Sequence, residues 1–375
     1  MDRSLTMGGD LHTGRLARLQ VYLRRKKIDA LLVSQPHNRR YLSGYTAPDH
    51  GIQETSGFLL IPCEGRPYLL TDSRFTLQAE DEAPLYRVEL YSKGLINLLE
   101  RLQKKIGFRN LAFESDYLLH SAFVRLAGFC AGHNLILHPV SGLVEQMRLI
   151  KDEYELHLLR QSTALNEKVF QSVYRIIEPG MTEREIALAI DLTMREMGAE
   201  GPSFDTIVAF GTNAARPHAV PTDRELQAGD LVMIDMGLIF RGYCSDLTRT
   251  FVFGKPDQTY IDRHRLVRQA MLAGIDAIRD GVSGAAVDRA ARQVLADGGY
   301  GNAFGHGLGH GVGIAVHEEP RLSPRWRKQL HAGMVVTVEP GLYLADWGGI
   351  RLENMVVVTE EGCEVLNRDT TGLDL

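Results

Sequence analysis

The sequence predicts an α/β chain, α+β in character, of two domains: one at residues 1–145 and a second at 146–375 that is internally duplicated. Three observations carry this. Apolar runs of strand length alternate with helical periodicity through about residue 138, the pattern turns strongly helical at Lys151, and segments between 178 and 238 recur between 279 and 342. At 375 residues the chain can bury two substantial cores. An apolar fraction of 44% with 24% charged residues is that of an ordinary globular protein, which excludes a disordered chain. A net charge of −5 supplies no basic stripe for nucleic acid or an anionic membrane, so neither partner is expected.

In chain order, residues 14–28 set Leu16, Leu19, Val21, Leu23 and Ile28 on one stripe among arginines and lysines, a helical pattern. DALLVS at 29–34 reads as a buried strand. GFLLIP at 57–62 and PYLLTD at 67–72 flank Glu64-Gly65-Arg66 as a hairpin. From Lys151, Asp152 is a helix N-cap with Glu155 three residues on, followed by Leu156, Leu159, Leu165, Val169 and Val173 on one face; Pro179-Gly180 ends the helix. Beyond it the chain repeats. Residues 178–200 resemble 279–301, with Thr182 against Ser283 and Ile186 against Val287, and GDLVMIDMGL at 229–238 aligns with GMVVTVEPGL at 333–342. Cys63, Cys130, Cys244 and Cys363 show no CxxC spacing. The N-terminus lacks the apolar core of a signal peptide and no run reaches the ~18 residues of a membrane span, so a cytoplasmic location is expected.

The repeat aligns Asp235 with Glu339, and both interrupt apolar runs in which a buried charge is costly without a counter-ion. The segment 231–253 reads as a single hairpin turning at 240–242. That register sets Asp235 directly opposite Asp246, with Cβ atoms expected ~4.5 to 5.5 Å apart. Glu353 follows Glu339 much as Asp246 follows Asp235, so each half supplies two carboxylates. Four such charges converging on one pocket repel, and two divalent cations cancel them. FGHGLGHGVGIAVHEEP at 304–320 adds His306, His310 and His317 with little bulk around them, and no phosphate-loop pattern can be read in it. Oxygen-rich ligation with one imidazole suits Mn²⁺, Co²⁺ or Zn²⁺.

The set IDMG, SDLTRT, GHGLGHGVG, VHEEP, VEPG and RLEN resembles the metallopeptidases of the aminopeptidase P and prolidase family. Their "pita-bread" catalytic domain is shared with methionine aminopeptidase, and the first 140 or so residues resemble the family's creatinase-like N-terminal domain. The resemblance implies that Asp235, Asp246, His310, Glu339 and Glu353 hold two divalent metal ions, manganese first and cobalt or zinc as alternatives. It implies a bridging hydroxide as nucleophile, with Glu339 shuttling the proton, on the bond between an N-terminal residue and a following proline. His218 of RPHAVP and His317 would contact substrate, Arg351 would support the metal site, and His306 is expected to be a supporting histidine. Arg321 resembles an arginine that receives the free carboxylate of a dipeptide, which leaves dipeptidase and aminopeptidase action both open. Phe204, Tyr243 and Tyr343 could line a proline pocket or belong to the core. A homodimer acting on peptides with proline second is also implied. A non-catalytic binding module of this fold would lack several ligands, and a creatinase-type hydrolase is disfavoured by the full acidic set. Methionine aminopeptidase is disfavoured by the extra N-terminal domain and by PHAVP and VHEEP.

Overall fold

The computed structural model describes residues 4–51 and 53–373. Two compact units meet between Met147 and Arg148, against the expected division at 145/146. In the first unit, strands β1 (Ala30–Val33), β2 (Phe58–Pro62), β3 (Tyr68–Thr71), β4 (Arg87–Leu90), β5 (Asn110–Glu114) and β6 (Ile136–Val140) form one sheet in the order β4-β3-β2-β1-β5-β6. β2 and β3 pair antiparallel as the expected hairpin, while β1–β5, β5–β6 and β3–β4 are parallel. Helices α1 (Ser4–Arg25), α2 (Pro36–Ser43), α3 (Thr76–Glu82), α4 (Leu95–Ile106) and α5 (His120–Gly132) alternate with the strands, and α6 (Leu143–Arg148) follows. The first helix starts ten residues before its expected start and stops short of Ile28. Lys27 at φ 57° takes the left-handed conformation that ends a helix, and Ile28 is buried just beyond it.

The second unit contains helices α7 (Glu153–Tyr174), α8 (Glu183–Glu196), α9 (Gln258–Asp276) and α10 (Gly284–Asp297). Asp152 and Glu155 form the expected capping box on α7. The repeat is visible in the caps: Thr182 opens α8 and Ser283 opens α10, each hydroxyl accepting from the backbone N–H three residues on. Strands of the first half are β7 (Gly201–Pro202), β8 (Ile207–Phe210), β9 (Leu231–Met236), β10 (Leu238–Phe240), β11 (Tyr243–Cys244) and β12 (Leu247–Val252). Those of the second are β13 (Gly309–Gly311), β14 (Glu318–Leu322), β15 (Val335–Val338), β16 (Gly341–Leu344), β17 (Gly348–Arg351), β18 (Asn354–Val358) and β19 (Cys363–Val365). β12-β9-β8 and β14-β13-β15-β18-β19 are the principal sheets. Each is backed by its own helices: Ile186, Ile190 and Phe170 pack on Val232 and Ile234, while Val287, Leu295 and Val267 pack with Val336 and Val338. Among the described residues no helix is long and apolar enough to cross a membrane.

The expected cross-strand pairing of Asp235 with Asp246 is corrected. The turn is Arg241-Gly242, both at positive φ (49° and 84°), so Phe240 pairs with Tyr243 and Asp235 falls opposite Thr248. Moving the turn centre by one residue moves the register by two. Because side chains alternate with period two, this keeps both aspartates on one face but makes them diagonal neighbours. The ladder is also interrupted at Gly237 and at Ser245-Asp246. A Cβ on Gly237 would collide with Ser203 Oγ, the Ser245 carbonyl and Phe204, so only glycine allows this close approach.

Candidate active site

A cavity of about 580 Å³ opens in the second unit, and the carboxylates of both hairpins reach its wall. Asp235 lies within β9, Asp246 in the break before β12, Glu339 just after β15, and Glu353 in the break between β17 and β18. His310 of β13 completes the set. Ligand atoms of Asp246, His310 and Glu353 lie within 4.8 Å of one another, and His310 Nε2 stands 3.6 Å from Asp246 Oδ2 and 3.4 Å from Glu339 Oε1. Gly309 sits against the Thr337 backbone with no space for a Cβ, which brings β13 close enough to β15 for His310 to reach the carboxylates. His218, His306, His317, Arg321 and Arg351 line the same cavity, so the structure brings every expected site residue together.

The electrostatics are those of a site built for added positive charge. Burial, reinforced by neighbouring carboxylates, pushes Asp246 and Glu353 well above the usual carboxylate range. Burial likewise pushes Glu339 up to about 8, against the pull of Arg351. Arg351 reaches the fourth carboxylate, donating to Asp235 Oδ2 at 2.5 Å. The other Asp235 oxygen is buried without a hydrogen-bond partner. An orphaned carboxylate oxygen beside three further carboxylates is the donor set that divalent cations fit.

His310 is prepared to donate a lone pair. Its Nδ1 lies 3.1 Å from the Gly311 carbonyl, which can only accept, so Nδ1 carries the proton and Nε2 faces Asp246 and Glu339 unprotonated. Burial, then the neighbouring His317, lowers its pKa to about 3, keeping the ring neutral. His317 stands against it, ring centroids 4.3 Å apart at 83°, and is itself shifted down by burial and by Arg321. His306, also on the cavity wall, has its Nε2 2.9 Å from the Tyr343 hydroxyl, which accepts from Arg351 at 2.8 Å, and burial lowers its pKa to about 4.

A family model described as metallopeptidase family M24 matches residues 157–360, and one described as Creatinase/Prolidase N-terminal domain matches 15–150. The Xaa-Pro dipeptidase of Pyrococcus horikoshii is 32% identical over 96% of this chain and 98% of its own. The chain belongs to the Xaa-Pro metallopeptidases of family M24. Solved structures agree. A Xaa-Pro dipeptidase from Bacillus anthracis superposes with a TM-score of 0.88 at 35% identity, covering 96% of this chain and 98% of that one. An X-Pro aminopeptidase from Thermotoga maritima also gives 0.88 at 35%, covering 94% and 97%. The fold is thus a creatinase-type N-terminal domain followed by an M24 catalytic domain, the chain is a metallopeptidase, and the family implies divalent metal ions.

Several residues of this metallopeptidase site escaped sequence reasoning. The Thr248 hydroxyl donates to Glu353 Oε2 at 2.7 Å, and the Thr337 hydroxyl to Glu339 Oε1 at 3.2 Å. Thr248 could have been found only from the true register, which sets it opposite Asp235. Tyr343 links His306 to Arg351, and Tyr243 turns away to bond Glu155 at 3.0 Å; of the three suggested aromatics only Phe204 lines the cavity.

Proposed function

We propose that this metallopeptidase hydrolyses the bond between an N-terminal residue and a following proline. The observation that supports it best is the cavity wall itself: four carboxylates and a neutral imidazole, with one carboxylate oxygen left unpartnered, in a chain whose relatives are Xaa-Pro peptidases. Asp235, Asp246, His310, Glu339 and Glu353 would hold two divalent ions, manganese first on hard oxygen donors and cobalt or zinc as alternatives. Such ions, when bound, supply a water nucleophile at neutral pH and polarise the scissile carbonyl. Glu339, steadied by Thr337, carries the proton from the attacking water towards the leaving amine. His218 and His317 stand exposed on the cavity wall, where they donate hydrogen bonds to the carbonyl oxygen and the substrate backbone.

Proline after the scissile bond offers no N–H to a backbone-reading peptidase. The apolar side of the cavity, Phe204, Ile207, Ala219 and Val220, accepts its ring by contact instead. Arg321 is cross-strand to His310, and its guanidinium has no ion-pair partner among the described residues, which leaves it free for a dipeptide carboxylate. A homodimer and a cytoplasmic location complete this reading; the four cysteines, none of them in a disulfide, suit a reducing compartment. The test offers metal-reconstituted protein Xaa-Pro dipeptides, Xaa-Pro-Yaa tripeptides, Met-Ala peptides and creatine. Turnover of the proline series is expected, with dipeptide turnover weakened by Arg321→Ala. No turnover of either proline series with metal shown to be bound would overturn the proposal.

A further inference from the structure

The segment 211–222, between β8 and β9, carries His218 at its middle, yet among the described residues no hydrogen bond holds the imidazole itself. Its position is therefore set by the loop. That loop is tied at its base to one carboxylate, Glu183, the first residue of α8, which is 0% exposed. Glu183 Oε1 accepts from Phe210 N at 2.6 Å. Its Oε2 accepts from Asn213 Nδ2 at 2.9 Å, Thr222 N at 2.8 Å and the Thr222 hydroxyl at 2.6 Å. All four donors are neutral, so the charge is stabilised by hydrogen bonds and by the positive end of α8. Phe210 and Thr222 are the two feet of the loop. At its crown the Pro217 carbonyl accepts from Arg351 at 3.1 Å, the guanidinium that also holds Asp235.

We infer that Glu183 is a positioning residue for His218: by clamping both feet of the loop it fixes where the imidazole stands over the cavity. The inference rests on the reading of His218 as a substrate-facing group. A carboxylate is needed because its two oxygens only accept. In Glu183→Gln the amide group must point a donor at Phe210 N or at Thr222, so one foot is released while size and shape are kept. The loop can then shift, and a displacement of about 1 Å is enough to cost up to roughly 100-fold in turnover.

A double-mutant cycle tests this with Glu183→Gln, His218→Ala and the pair, in metal-loaded protein turning over a Xaa-Pro substrate. Glu183→Gln should lower kcat/KM up to roughly 100-fold with metal stoichiometry unchanged. On the His218→Ala background it should cost nothing beyond about twofold, because the group it positions is gone. Thr222→Val, which removes one donor, should repeat the pattern with a smaller loss and serves if Glu183→Gln fails to fold. Equal losses on both backgrounds, or none on the native one, would overturn the role of Glu183. A His218→Ala variant that turns over normally would overturn the role of His218 itself, which the single variant reads separately.

Discussion

The two halves of the catalytic unit repeat one plan, but one carboxylate of each half is steadied by the other. Asp235, in the first half, is bonded by Arg351 of the second; Glu353, in the second, is bonded by Thr248 of the first. Arg249 extends the exchange, donating to the Glu353 carbonyl and to Asn354 Oδ1. The halves differ in how they hold their histidine loops. In the first, Glu183 clamps the His218 loop with neutral donors alone. In the second, an ion pair does the work: Arg292 pairs with Asp288 at 2.9 Å and donates to the Phe304 and His306 carbonyls, while Asp288 takes Leu308 N. The duplication therefore supplied the carboxylates twice, and the supports around them were built separately. Among the described residues, the imidazole that groups with the acids, His310, comes from the second half.

If the four carboxylates form one site across both halves, removing one from either should disable the whole. Asp246→Asn should lose bound metal and lower turnover by more than the roughly 10- to 100-fold expected of a residue that only supports a ligand. Metal stoichiometry after dialysis is the measurement, and an unchanged value would separate Asp246 from the cluster. A finer test compares the two threonines. Thr248→Val removes a 2.7 Å bond that crosses between halves, and Thr337→Val a 3.2 Å bond within one. The first should weaken divalent-ion affinity roughly 10- to 100-fold and the second less, read by calorimetric titration. The reverse order would show that the exchange between halves is incidental.

How much of this was legible follows from the kind of signal each part leaves. The repeat, the capping boxes at Asp152 and Thr182, and the acids Asp235 and Glu339 inside apolar runs are local patterns, and the fold and cavity wall could be read from them. Register was not readable to the residue, because Arg241 at a positive φ gives no composition signal beside Gly242, and one step of the turn moved Asp235 from Asp246 to Thr248. Supporting residues were hidden for another reason. Glu183 reads as an ordinary acid in the first turn of a helix, and only the fold brings Phe210, Asn213 and Thr222 to it. Long-range partners of this kind leave no periodicity to find.

The smallest effect probes the contrast between charged and neutral anchoring. Glu318, next to His317, is held by Arg148 at 2.7 Å and Lys151 at 3.7 Å, and it accepts from Ala315 N, so it ties the His317 segment to residues 148–151. Burial alone would raise its pKa, but Lys151 and Arg148 prevail and hold it below the ordinary 4.5. A carboxyl whose folded pKa is depressed contributes stability in full above the unfolded value and loses it as pH falls through the folded one. Glu318→Gln should thus lower stability at neutral pH, by about 1.5 kcal/mol. The gap in Tm between native protein and variant should hold steady above about pH 5 and close below it. A gap that persists unchanged to about pH 3 would mean the native carboxyl and the amide are anchored alike, by hydrogen bonds rather than charge, as Glu183 is in the other half.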